Sequence, residues 1–268
     1  MFEAISEAEC CLCGSPHNLT GEHKIKASAL RRIFGKDAMV IGHFDGTSQP
    51  RLAQGPKSSV LHFNARLCGD CNASDTQPAD REFDRFHERA AARFASHPSA
   101  DTERLFPVEN YPDGAPETLN VFRYFAKLLS CQIANSGGPR LPTLAAFALG
   151  QIDFNPVKLK IRADPTYKIM TKLSDELSAF AGHGGLVVNH SRSTGELSGF
   201  HSTLTLGPIQ YAYWVEFKGS VSRDLQVADP RLFAHTRDAF RKGVETPLSD
   251  WERDKLGFPP EEPLDGEA

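Results

Sequence analysis

Four cysteines in this sequence stand in two pairs with the spacing of metal-binding thiols. Cys10 and Cys13 form one CxxC pair, and Cys68 and Cys71 form the other. Each pair places two thiols on one tight turn, and two such turns supply the four sulfur ligands that a tetrahedral Zn²⁺ takes. The sequence therefore predicts a structural zinc site built from these four residues.

Two further cysteines stand beside this pattern. Cys11 could replace Cys10 as a ligand, although CxC spacing is less usual. Cys131 falls in an apolar helical pattern and is most simply a small core residue. The first residues are acidic rather than basic and then apolar, so we expect a cytoplasmic protein whose thiols stay reduced, and disulfides are the weaker interpretation.

The 54 residues between the two pairs contain further polar residues in a fixed order. Glu22 and His23 stand near the start, Asn64 stands near the end, and Asn72 follows the second pair directly. In this order the motifs resemble the zinc-clamped branch of the HNH (ββα-metal) endonuclease family, in the HNN subgroup that ends in Asn rather than His. The resemblance covers about residues 10–94, a third of the chain.

The resemblance implies a divalent-metal-dependent endonuclease that hydrolyses phosphodiester bonds in DNA. It implies His23 as the general base for water attack, and a neutral imidazole suits that task. It implies Glu22 and Asn72 as oxygen ligands to Mg²⁺ or another divalent cation, which would cover charge on the phosphoryl and leaving oxygens. Asn64 would orient the His23 segment, and the products would carry a 5′-phosphate and a 3′-hydroxyl.

The sequence departs from the family pattern near Asn64 and Glu22. Asn64 stands four residues before the second pair, where the family has five, so His62 could share its role. Glu22 is bulkier than the more usual Asp, which leaves direct metal binding open. Asp80 is interpreted as a helix cap or as a group behind the metal ligands. The alternative function is a zinc-stabilised nucleic-acid-binding or regulatory module without catalysis, and a zinc-ribbon adaptor for proteins is a third.

A helix is predicted after Asn72. Phe83, Phe86, Ala90 and Phe94 fall on one face of it, and Pro78 suits its first turn. Between the strands of the predicted module we expect a helix within residues 24–36 and a loop over residues 42–59, both lining a nucleic-acid groove or forming an insertion without that role.

The charge distribution is compatible with a nucleic-acid partner. The net charge is −4, but residues 244–268 hold eight acidic and two basic residues, so the remaining chain is slightly positive. A local basic patch consists of Lys24, Lys26, Arg31, Arg32 and Lys36. Such a patch is also typical of a solvated helix face, so it supports DNA binding only together with the motifs.

These patterns predict an α+β fold in three parts. Residues 1–98 would form a ββα-metal nuclease domain clamped by zinc, residues 101–243 an α+β accessory domain with an antiparallel sheet, and residues 244–268 an acidic, flexible tail. The accessory part has predicted helices over 118–135, 143–149 and 231–241 and predicted strands over 157–163, 185–189, 197–206 and 209–218. We expect no membrane association, and the accessory part could bind a second copy or a protein partner.

Overall fold

The computed structural model describes residues 1–6, 8–36, 39–41, 51–98, 102–165, 167, 179–191, 193–219 and 221–245. The fold is mixed α and β with an antiparallel sheet, as predicted. Nearly all of the predicted tail lies outside the described residues. Within them, no helix combines the length and the apolar character needed to cross a lipid bilayer.

The two strands expected to carry the site pair with each other. Strand β1 (Leu19–His23) runs antiparallel to β4 (His62–Cys68), although some forty residues separate them in the chain. Between them lie helix α1 (Ala27–Phe34) and a short hairpin of β2 (Met39–Ile41) and β3 (Arg51–Ala53). The predicted helix is confirmed. The prediction of a loop over 42–59 is wrong at β3, and residues 42–50 lie outside the described residues.

Helix α2 (Gln77–Ser96) follows the second cysteine pair through a single π-helical turn, Cys71–Asp75. Pro78 lies in its first turn, where a missing N–H costs nothing, as the sequence predicts. Phe83, Phe86 and Ala90 are fully buried, and Phe94 packs against them from a half-buried position. The predicted apolar face is therefore confirmed.

The remainder of the described chain builds one larger sheet with helices around it. The helices are α3 (Thr102–Leu105), α4 (Pro116–Asn135), α5 (Pro142–Ala148), α6 (Ser222–Ala228) and α7 (Pro230–Glu245). The strands are β5 (Val157–Ala163), β6 (Ala181–His183), β7 (Val187–His190), β8 (Leu197–Leu206) and β9 (Ile209–Glu216). Their order is β5-β9-β8, with β6 and β7 both pairing with β8, and all pairings are antiparallel.

Helix α4 lies between the β1–β4 pair and this sheet. It buries residues on most of its circumference. The ring of Tyr124 stacks on Phe83 of α2 with the centroids 3.9 Å apart, and the neighbouring Phe125 contacts Tyr213 of β9 at 5.1 Å. A single apolar core therefore runs across the predicted boundary between residues 98 and 101, and that division into domains stays a prediction.

Candidate functional site

The four cysteines of the two CxxC pairs come together at the ends of the β1–β4 pair. Their sulfur atoms all lie within 4.8 Å of one another, and Cys13 Sγ is 3.6 Å from Cys68 Sγ. A tetrahedral zinc with Zn–S bonds of about 2.3 Å separates its sulfur ligands by about 3.8 Å. The geometry therefore fits a metal such as zinc, held by Cys10, Cys13, Cys68 and Cys71.

Cys11 points away from this cluster. Its sulfur lies 3.7 Å from that of Cys131 in α4, and both side chains are buried. Of the two adjacent cysteines, Cys10 is thus the one placed to bind a metal, and Cys131 is the core residue that its apolar surroundings predict.

His23 stands at the end of β1, opposite His62 at the start of β4. The two Nε2 atoms are 2.9 Å apart. Burial lowers the pKa of His23 to about 4, and the neighbouring His62 acts in the same direction, while a hydrogen bond to the backbone of Pro56 opposes it. Because proline has no N–H, that partner is the Pro56 carbonyl, to which the ring donates. His23 is therefore neutral near pH 7, and its Nε2 faces His62 Nε2.

Asn72, in the π-helical turn, is tied to β1. Its Nδ2 donates to Thr20 Oγ1 at 3.0 Å and to the carbonyl oxygen of Gly21 at 3.3 Å. These bonds fix the nitrogen end of the amide, so the oxygen is the end that could bind a cation. Asn72 thus lies beside the segment that precedes Glu22 and His23.

Asn64 is placed differently from its expected role. The ladder pairs Gly21 with Arg66 and His23 with His62, so three residues of β4 bulge opposite Glu22 alone, and Asn64 is the middle one. It is exposed, and its backbone N–H donates to Asn135 Oδ1 at 2.8 Å.

Within the described structure, no hydrogen bond joins Asn64 to His23, and the side chain that contacts His23 is that of His62. Asn64 lines a groove of about 1040 Å³ together with Arg66 and Asn135. The bulge is the physical reason, because it shifts the face of β4 on which each side chain projects. The orienting role predicted for Asn64 therefore has no contact to support it.

Glu22, the second expected ligand, lies against a buried lysine. Its Oε1 is 3.0 Å from Nζ of Lys127 in α4, and the same ammonium contacts Asp80 of α2 at 2.9 Å and 3.1 Å. Burial raises the pKa of Glu22, and Lys127 opposes that rise. Burial would lower the pKa of Lys127, but the two carboxylates together raise it above its ordinary value.

Sequence reasoning missed Lys127. The available signal is one lysine within the otherwise uncharged stretch 124–133. Asp80, interpreted from sequence as a cap or a group behind the metal ligands, is the second partner of that lysine. Asp80 lies in the first turn of α2, and among the described residues its carboxylate bonds to Lys127 rather than to the backbone at the start of the helix.

The basic patch is partly neutralised by α2. Lys26 Nζ is 2.6 Å from Asp84 Oδ2, and Arg32 lies 2.8 Å from the same carboxylate and also contacts Glu88. These ion pairs hold α1 against α2. The positive charge that this surface presents is therefore smaller than the sequence suggests.

The described site thus consists of His23, His62 and Glu22 on the β1–β4 pair and Asn72 in the turn that follows. Asn64 lies outside it. Comparison of the chain with family models, curated proteins and solved structures gave no match.

Proposed function

We propose that this chain is an HNH-type endonuclease that hydrolyses phosphodiester bonds in DNA, with His23 as the general base. The observation that carries the proposal is the unit formed by β1, β4 and the turn before α2. In it, a neutral imidazole lies at the end of a strand, and an amide is hydrogen bonded to the same strand at Thr20 and Gly21. Four thiols placed to hold zinc brace the ends of that unit.

The surroundings of His23 keep its imidazole unprotonated near pH 7. With a pKa of about 4, its imidazole is unprotonated near pH 7 but is a weak base. A bound phosphodiester brings negative charge, which favours the protonated imidazole and raises its pKa. The contact with His62 Nε2 holds the ring in place.

The two residues expected to hold a catalytic divalent cation each have one oxygen atom left to bind it. Asn72 can offer its amide oxygen, and Glu22 can offer Oε2, because Oε1 is engaged by Lys127. A hard cation prefers such oxygen atoms. When bound, it would shield charge on the phosphoryl group and on the leaving oxygen.

A divalent-dependent plasmid cleavage assay tests the proposal. Purified protein with Mg²⁺ or Mn²⁺ is expected to cut DNA, and His23→Ala should lower the rate by roughly 10²- to 10⁴-fold, the usual contribution of a general base. His62→Ala should lower it less, since His62 only holds the ring. The control is His17→Ala, which removes an exposed histidine of the same region. Undiminished cleavage by His23→Ala would remove it from the role of base.

One observation favours a second candidate, a zinc-stabilised nucleic-acid-binding or regulatory module without catalysis. The charge of Glu22 is already compensated by Lys127, which weakens the pull of this site on a metal ion. In that case labelled DNA would be retained by the protein, no divalent cation would yield cut products, and His23→Ala would bind DNA as the native chain does.

A further inference from the structure

Lys127 connects two separate elements of the proposed nuclease site. Its ammonium contacts Glu22 in β1 and both carboxylate oxygens of Asp80 in α2, at 3.0, 2.9 and 3.1 Å. The lysine itself comes from α4, far along the chain. One side chain from outside the motif region thus joins the strand that carries His23 to the helix that follows Asn72.

Burial makes this connection rigid. The Lys127 side chain is 1% exposed and Glu22 is 13% exposed. An ammonium has three N–H donors, and three carboxylate contacts match them. Removing one partner of such a buried group leaves an uncompensated charge, which is strongly unfavourable. The ammonium therefore keeps one position between the two carboxylates.

The bulge explains why β1 needs a support at this point. Regular pairing stops between Gly21 and His23, so the ladder with β4 does not fix residue 22. Glu22 is held instead through its side chain, by Lys127. Because His23 is the next residue, the direction of its ring depends on how Glu22 is held.

We propose that Lys127 is a positioning residue of the proposed nuclease site: through Glu22 it fixes the bulged end of β1 and so the orientation of the His23 ring. This inference rests on the proposed function. Lys127 contacts the two carboxylates and not the His23 ring, so its effect on the orientation of that ring passes through Glu22. It also makes α4, which lies outside the motif region, a necessary part of the site.

Kinetics on the full-length, zinc-loaded protein test the inference first. Lys127→Met should lower kcat for plasmid cleavage about tenfold to a hundredfold with little change in KM, because a misoriented base slows chemistry more than it weakens binding. Lys127→Arg keeps the charge and should recover most of the rate. The control is Lys158→Met, which removes an exposed lysine paired with Glu216 on the sheet. A Lys127→Met variant as fast as the native protein, or no better rate with arginine, would overturn the inference.

Imidazole nitrogen spectra test it without reference to cleavage. In long-range ¹H–¹⁵N spectra, the His23 signals should shift in Lys127→Met and also in Glu22→Met, which breaks the same contact from the other side. The His87 signals should stay unchanged, because that ring bonds to Tyr211 elsewhere. If Lys127→Met does not fold, Glu22→Met decides by the same measurement. Unshifted His23 signals would overturn the positioning role, whereas shifted signals in a protein that cuts no nucleic acid would overturn only the proposed function.

Discussion

At the scale of single residues, two buried tyrosine hydroxyls have opposite surroundings. Tyr111 Oη donates to Glu82 Oε1 at 2.8 Å. Tyr124, which stacks on Phe83, has a hydroxyl that is buried without a hydrogen-bond partner in the described part of the chain. A buried polar group without a partner is destabilising, while a paired one contributes to stability. The same tyrosine-to-phenylalanine change should therefore have opposite effects at the two positions.

We expect Tyr124→Phe to raise the free energy of unfolding by up to about 1 kcal/mol, since it removes an unsatisfied hydroxyl and keeps the ring stack. Tyr111→Phe should lower it by about 1–3 kcal/mol, since it leaves a Glu82 oxygen without that donor. Urea unfolding of both variants, with unchanged dependence on denaturant, checks the pair. Equal destabilisation by the two changes would contradict the expectation.

The site residues that could be predicted from the sequence are those that belong to short motifs. These motifs are two CxxC pairs, an acid beside a histidine, and an asparagine after a cysteine. Each lies within a few residues of sequence, and the structure brings Cys10, His23 and Asn72 close to the β1–β4 pair. Lys127 has no local motif, because its partners lie about fifty and a hundred residues away.

At the scale of elements, two adjacent cysteines serve different elements. Cys10 belongs to the four-sulfur cluster beside β4, and Cys11 packs against Cys131 of α4. Of the two, only Cys10 would bind a metal together with Cys68 and Cys71. A pair of serine variants can therefore separate metal binding from core packing.

Cys10→Ser should bind much less than one zinc per chain and unfold at a lower temperature, because tetrahedral zinc loses one of its four thiolates. Cys11→Ser should keep about one zinc per chain and lose only core stability, since it places a hydroxyl in a buried position. Metal analysis and thermal unfolding of both proteins check this. Loss of zinc from Cys11→Ser to the same extent would contradict the assignment.

The longer elements were predictable because their apolar period is sustained. Strands β5 and β8 begin and end at the predicted residues, and α2 buries the predicted face. The three-residue strands β2, β3 and β6 were not predicted, since three residues are too few to show an alternating pattern. The bulge in β4 could not be predicted from the sequence either, because it arises from pairing with a distant strand.

At the scale of the whole molecule, the motif region depends on the later part of the chain. Phe83 and Phe86 of α2 are buried against residues that lie beyond position 98, among them Tyr124 and Tyr211. Glu22 and Asp80 find their buried counter-charge in Lys127, which also lies beyond that position. The first 98 residues alone would expose these rings and leave the two acids without Lys127.

We therefore expect a fragment of residues 1–98 to lack a cooperative thermal transition even with one equivalent of zinc, because a chain that cannot bury its apolar face is marginal. A fragment of residues 1–245, which omits most of the acidic tail, should unfold as the full chain does. Circular dichroism and calorimetry of the two fragments check this. A sharp transition in the 1–98 fragment at the temperature of the full chain would show that the motif region folds independently.

The buried lysine between Glu22 and Asp80 also bears on how this sequence can change during evolution. Loss of the ammonium alone leaves two partly buried carboxylates without their shared partner, and loss of either acid alone leaves the buried ammonium with a single carboxylate. Viable lineages would pass through paired replacements. Among relatives of this chain, positions 22, 80 and 127 should therefore vary together, and an alignment of such relatives would reveal that correlation across more than a hundred residues of sequence.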